Sequence, residues 1–149
     1  MSSKYNGSPE EVLALDTFIK LVRANEAVKT RLDKQNTVGE LKGTPFGTLE
    51  MLYHLGPLNQ KEIGEKLLVS KSNVVLVIDK LEKQGLVKRQ RSSTDRRMIF
   101  VHITPVGRER VDAVLPTHVA AITHEMCRLT ADEQREFGRL CRKLGRREG

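Results

Sequence analysis

Tryptophan is absent from this chain, and aromatic residues make up only 4% of it. Whatever core it builds must be aliphatic, and at 149 residues it is long enough to bury one. The two cysteines, Cys127 and Cys141, are too few for a disulfide framework and lack a zinc-ligand spacing. Reduced thiols of a cytosolic protein are the default for such a pair. No apolar run approaches the ~20 residues of a membrane span, and Met1–Ser8 carries no apolar signal segment. A cytoplasmic protein with no membrane partner is expected. Catalytic signatures are missing as well: there is no phosphate-cradling glycine loop, no nucleophile elbow and no paired-carboxylate motif. No catalytic residue is nominated, and an enzyme is not expected. His118 and His124 stand six apart, which does not stack them on one helical face, and His54 and His102 lie elsewhere. No metal site and no cofactor are expected.

What the chain has is positive charge, and in one place. Its net charge is +7. Residues 1–58 hold 7 Lys+Arg against 7 Asp+Glu, residues 104–149 hold 9 against 7, and residues 59–103 hold 10 against 5. The central stretch therefore carries most of the excess, a distribution that suits a polyanion such as DNA.

That stretch is also the most patterned. Asn59 with Glu62 three residues on has capping-box spacing for a short helix from Gln60 to Leu68. Ser70 can cap a second helix that runs to about Gln84 and stops before Gly85. Two β-rich runs follow, Leu86–Arg91 and Met98–Ile103, separated by a polar, basic turn that includes Asp95, Arg96 and Arg97. Helix–turn–helix–strand–basic loop–strand is the order of a winged helix-turn-helix, a DNA-reading device. On a helical wheel Val74, Val77, Ile78 and Leu81 share a core arc. The opposite arc holds Ser72, Leu76, Asp79 and Lys83, with Asn73 and Lys80 at its edge. The N-terminal residues of such a helix, Ser70, Lys71, Ser72 and Asn73, all can hydrogen-bond to DNA. Asn can pair bidentately with adenine, Lys can reach guanine or phosphate, and Leu76 can touch a thymine methyl. In the turn, an arginine held by Asp95 is suited to a narrow minor groove.

The flanks are helical. Ser8-Pro9-Glu10-Glu11 opens a helix to about Gln35 with a stripe at Leu15, Phe18, Leu21, Val22, Val28 and Leu32. Thr44-Pro45 is expected to cap a helix bearing Phe46, Leu49, Leu52, Tyr53 and Leu55, which Gly56-Pro57 ends. Thr104-Pro105 opens another, interrupted by Pro116, where a kink is expected. Thr130-Ala131-Asp132-Glu133 caps the last, with Phe137, Leu140, Cys141 and Leu144. Striped helices on both sides of a complete winged motif exceed what that motif needs and predict a helical dimer interface. The fold class is mainly α with a small β-hairpin, a winged helix-turn-helix framed by N- and C-terminal dimerisation helices.

Leu58–Arg89 (LNQKEIGEKLLVSKSNVVLVIDKLEKQGLVKR), Ser93–Thr104 (STDRRMIFVHIT), the following Pro105-Val106-Gly107 and Leu129–Gln134 (LTADEQ) together resemble the multiple-antibiotic-resistance regulator (MarR) family. The likeness spans roughly Val12 to Leu144. It implies one MarR-type domain over residues 8–149, with a winged core at about 44–104 and dimerisation helices at about 9–35 and 105–145. It also implies a homodimeric transcription regulator on a pseudo-palindromic double-stranded operator, usually a repressor and often released by a small ligand or by oxidation. By the same resemblance Arg97 enters the minor groove and Asp95 holds it, and Ser70, Ser72, Asn73 and Leu76 fall on recognition-helix contact positions. The DNA-binding candidates are thus Ser70, Lys71, Ser72, Asn73, Leu76, Lys80, Asp95, Arg96 and Arg97. Phe46, Leu49, Tyr53 and His54 are candidates for a small-molecule effector and are equally explained as core. Two alternatives stay open: an oxidant sensor of the same fold, although relatives of that kind usually carry their cysteine near the N-terminal helix, and a non-specific DNA binder.

Overall fold

In the computed structural model, which describes residues 4–146, helices dominate. The order is α1 (Pro9–Gln35), a 3₁₀ turn (Gly39–Leu41), α2 (Thr44–Leu55), β1 (Leu58–Asn59), α3 (Gln60–Leu67), α4 (Lys71–Lys83), β2 (Val87–Arg91), β3 (Ile99–Ile103), α5 (Pro105–Met126) and α6 (Ala131–Gly145). The expected hairpin is joined by a third strand. Leu58 and Asn59 pair with Val101 and Phe100, so the antiparallel sheet runs β1-β3-β2. β2 pairs with β3 in the register Val87↔Ile103 to Arg91↔Ile99.

Local chemistry sets most of the boundaries. Reciprocal capping boxes close the starts of α1 (Ser8 with Glu11), α3 (Asn59 with Glu62) and α6 (Thr130 with Glu133). Ser70 Oγ accepts the Asn73 N–H at 3.3 Å at the start of α4. The start of α2 departs from expectation. Gly43, not Thr44, is its cap residue, and Thr44 and Pro45 are already helical. Pro fits the first turn because no intrahelical partner awaits its missing N–H. Thr104 joins two elements: its hydroxyl donates to the Gly85 carbonyl at 2.6 Å and accepts the Gly107 N–H at 3.0 Å. α5 runs as one helix through Pro116.

The chain divides into two compact units, residues 37–120 and residues 1–36 with 121–149. The first holds a continuous aliphatic core. Leu41, Leu49 and Leu52 meet Ile63, Val74, Ile78 and Leu81, with Val87, Val101 and Val111 completing it. Two glycines make that packing possible. A Cβ on Gly64 would lie 3.2 Å from Val74 Cγ2, so α3 and α4 approach closely there. A Cβ on Gly107 would lie 2.1 Å from the Leu86 carbonyl oxygen and 2.9 Å from Ile103 Cγ1, so the first turn of α5 sits directly on the strand entry. Tyr53 ties α2 to α5: its hydroxyl donates to Asp112 Oδ1 at 2.5 Å, and the Arg108 guanidinium stands 5.0 Å from its ring centre. The second unit is different. α1 and α6 contain no buried residue among those described, and Phe18 (61% exposed) and Leu144 (72%) lie open. Its buried polar group is Glu125, which accepts from Arg31 Nε at 2.7 Å.

Two outcomes follow from this packing. Gly107→Ala is expected to lower unfolding stability by about 2 kcal/mol, because backbone rather than a flexible side chain occupies the space. Urea denaturation measures it, and an unchanged midpoint would contradict the contact. The Asp112 hydrogen bond, followed by burial, raises the Tyr53 pKa above its ordinary value. A phenol held neutral this way adds stability that is present below its ordinary pKa and lost as pH rises through the raised one. Ultraviolet titration of Asp112→Ala should therefore show one tyrosine ionising at lower pH than in the intact protein; superimposable curves would refute the bond.

Candidate nucleic-acid interface

α4 separates its two faces as its sequence requires. Val74, Ile78 and Leu81 are buried and Val77 is half-buried. Lys71, Ser72, Asn73, Leu76 and Lys80 are exposed, with Leu76 66% accessible. Ser70 is exposed too, and its hydroxyl lies 3.3 Å from that of Ser72. One cap therefore both starts the helix and places polar atoms on its leading edge. The helix N-terminus adds its own favourable potential for phosphate. The exposed arc offers a polar leading end, an apolar spot at Leu76 and a lysine one turn further on.

The wing is ordered by side chains bonding to nearby backbone. Ser92 Oγ accepts the N–H groups of Thr94 and Asp95 at 3.2 and 3.3 Å, and Ser92 N–H donates to the Met98 carbonyl at 2.8 Å. Arg91 Nη1 donates to the Arg96 carbonyl at 2.6 Å. Asp95 Oδ1 accepts the Arg97 N–H at 3.0 Å and faces Arg97 Nε at 3.4 Å. The shorter bond is to main chain, so Asp95 fixes where the Arg97 backbone stands more firmly than it restrains the guanidinium. The Arg97 side chain is 92% exposed, and Arg96 is exposed beside it. An extended arginine on a turn fastened at its base is the form a minor-groove probe takes.

Two residues of the basic stretch do something its spacing did not show. Arg89 points inward rather than out. Its Nη2 lies 2.7 Å from Asp79 Oδ1, its Nη1 3.0 Å from Glu82 Oε1, and its Nε 3.0 Å from Gln60 Oε1. Asp79, placed by the wheel on the outward arc, is accordingly engaged by the strand. Arg89 reaches from a strand to two helices, so no single helical or strand period relates it to these partners.

The four effector candidates do not share one environment. Phe46 and Leu49 are buried in the core, the former edge-on to the His118 ring at 5.0 Å. Tyr53 is half-buried and His54 exposed, their rings edge-on at 5.0 Å. A shallow cavity of about 330 Å³ lined by Asp112, Leu115, Pro116 and Val119 shares Asp112 with Tyr53. A second, of about 310 Å³, lies against the wing at Pro57, Gln90, Arg91, Ser92, Phe100 and His102. Cys127 and Cys141 are exposed free thiols, and Cys127 Sγ donates to the His124 carbonyl at 3.0 Å. Among the described residues no group of three or more His, Cys, Asp or Glu could hold a metal ion, and no helix is long and apolar enough to cross a membrane.

Residues 43–99 match the MarR family, the segment from the start of α2 to the start of β3. The chain is 35% identical over 136 residues to the HTH-type transcriptional regulator MhqR of Bacillus subtilis, covering 91% of each protein. It is 33% identical over 132 residues to the HTH-type transcriptional regulator YkoM of the same organism, covering 89% of this chain and 86% of that one. Among solved structures it superposes on Sco3205, a MarR family transcriptional regulator from Streptomyces coelicolor in complex with DNA. The TM-score is 0.77 at 25% identity, over 95% of this chain and 89% of the other. The winged fold and this likeness over almost the whole length agree: the chain belongs to the MarR family of transcription regulators.

Proposed function

We propose that this regulator reads a specific double-stranded operator as a homodimer, with α4 in the major groove and Arg97 in the flanking minor groove. The observation that carries this reading is the split of α4 into a buried aliphatic arc and an exposed arc bearing Ser72, Asn73 and Leu76, beside a wing whose Arg97 is free to reach. Ser70, Lys71 and Lys80 serve the phosphates and the groove edge, and Arg96 adds charge at the wing tip. The dimer reading is supported by the apolar residues left open on α1 and α6, including Phe18, Val22, Phe137, Leu140 and Leu144. Pairing through those helices sets two copies of α4 about one DNA turn apart. Repression, relieved by a small effector, is the usual mode of the family. Tyr53 and His54 are the two effector candidates with surface to offer, while Phe46 and Leu49 contribute from within the core. The single domain over residues 8–149, with its winged core at about 44–104, is part of the same proposal, as is a place in the cytoplasm.

Selection of bound duplexes from random DNA is expected to return a two-part palindrome, and Asn73→Ala to relax base preference at one position in each half-site. A single unrepeated half-site would remove the dimer from the reading; an unchanged consensus in the variant would remove Asn73. A protein that binds only through its basic patch would yield no consensus at all. Arg97→Ala should weaken operator binding about tenfold or more and reduce the salt slope by about 1, with unfolding unaltered. Wild-type affinity in a gel-shift titration would reject the wing assignment.

A further inference from the structure

We infer that Arg89 is a positioning residue that sets the rotation of the recognition helix, and not a phosphate contact. This rests on the operator-binding reading above. Arg89 stands in the middle of β2, the edge strand of the sheet, within the most basic segment of the chain. Its neighbours Lys88, Gln90 and Arg91 are exposed, whereas the Arg89 side chain is only 23% exposed. Every nitrogen it offers has an acceptor. Nη2 takes Asp79 at 2.7 Å, Nη1 takes Glu82 at 3.0 Å, and Nε takes Gln60 at 3.0 Å. The Glu82 carboxylate is doubly engaged, because its Oε2 also accepts the Arg89 main-chain N–H at 2.9 Å. One guanidinium thus joins three elements: the first residue of α3, two residues on adjacent turns of α4, and the strand that leads into the wing.

The placement of the two carboxylates is the telling point. Asp79 lies on the same outward arc of α4 as Ser72 and Leu76, where an unpaired negative charge would repel the phosphates of a bound duplex. Glu82 follows three residues later. Arg89 bonds to both carboxylates, its charge offsetting one of the two and its geometry holding the pair to the strand. Its planar fork fixes direction as well as charge, because the N–H vectors of a guanidinium cannot swivel independently. If α4 rolled about its axis, both carboxylates would leave the fork together. The pair therefore restrains the degree of freedom that decides which side chains face the bases, and it links that restraint to the strand carrying the wing.

The two roles predict opposite signs, which makes the test decisive. Full-length wild type, Asp79→Asn/Glu82→Gln, Asp79→Asn alone, Arg89→Ala and Arg89→Lys are titrated against the selected operator duplex and a random duplex of equal length, across a salt series. The double variant gains two units of positive charge. For a positioning Arg89 it nevertheless loses about tenfold or more in its operator-to-random ratio, with random-duplex binding equal or tighter. Asp79→Asn alone, at a half-exposed carboxylate that the fold can spare, shows a smaller loss in the same direction. Arg89→Ala lowers the ratio while its salt slope stays at the wild-type value. Arg89→Lys does not restore the ratio, since an ammonium cannot span the acceptors. Tighter operator binding by Asp79→Asn or the double variant overturns the inference, as does a salt slope reduced by about 1 in Arg89→Ala with the ratio intact. A wild-type protein with no preference for the selected operator would instead reject the operator-binding reading itself.

Discussion

The interface depends on the burial of one side of α4. Val74, Ile78 and Leu81 are fully enclosed, and burying side chains of this kind is worth about 1.5–3 kcal/mol each. That burial decides which arc of α4 turns inward, and the Arg89 fork on Asp79 and Glu82 restrains the roll that remains, so the display of Ser72, Asn73 and Leu76 rests on both. The remaining winged-unit elements meet the same three residues from other directions. α2 supplies Leu49 and Leu52, α3 supplies Ile63, and the sheet supplies Val87 and Val101. With so few aromatic residues in the chain, shape has to come from branched aliphatics fitted closely. That is why the approach at Gly107 admits no side chain and the one at Gly64 is tight.

Much of this arrangement was legible because its signals are local. A capping box is a pair of residues three apart, and all three boxes formed where the spacing placed them. The two arcs of α4 follow from helical period alone, and the β2–β3 register follows from alternation around a short polar turn. What escaped was non-local or very short. β1 is two residues long, too brief for any periodicity, and exists only because β3 offers it an edge. Thr44 before a proline has the chemistry of a cap, yet the left-handed Gly43 ahead of it took that place. Gly107 meets the Leu86 carbonyl 21 residues back in the chain, a contact with no local signal. Tyr53 and Asp112 lie 59 residues apart, a distance at which no spacing rule operates.

The two units place opposite demands on their apolar residues. In residues 37–120 the large aliphatics converge on a shared interior. In α1 the stripe seen in sequence is half-buried at Leu15, Leu21, Val28 and Leu32 and open at Phe18 and Val22, and in α6 Phe137, Leu140 and Leu144 lie exposed. An amphipathic helix with an unburied face has left its main source of stability unused, since isolated helices draw little from propensity alone. The capping boxes at the starts of both helices and the Arg31–Glu125 pair hold local structure in place. They leave open the apolar residues that the proposed homodimer would cover.

Charge in this protein has to be counted by geometry rather than by residue. In the stretch from 59 to 103, ten basic side chains face five acidic ones. Arg89 is one of the ten, and Asp79 and Glu82 are two of the five, but these three are spent on one another. The trio keeps a net charge of −1, so the positive excess is carried by the other nine basic residues against three acidic ones. Arg89, on β2, and Arg97, in the turn that follows it, sit eight residues apart and have opposite surroundings. The first is three-quarters buried with an acceptor at each nitrogen; the second is almost wholly exposed, held at its backbone by Asp95 and by one longer contact to its Nε. A bonded guanidinium contributes rigidity and little potential beyond its own partners, whereas a free one contributes potential and reach. The wing divides these duties between two residues of one type, and that division is visible only once their carboxylates are located.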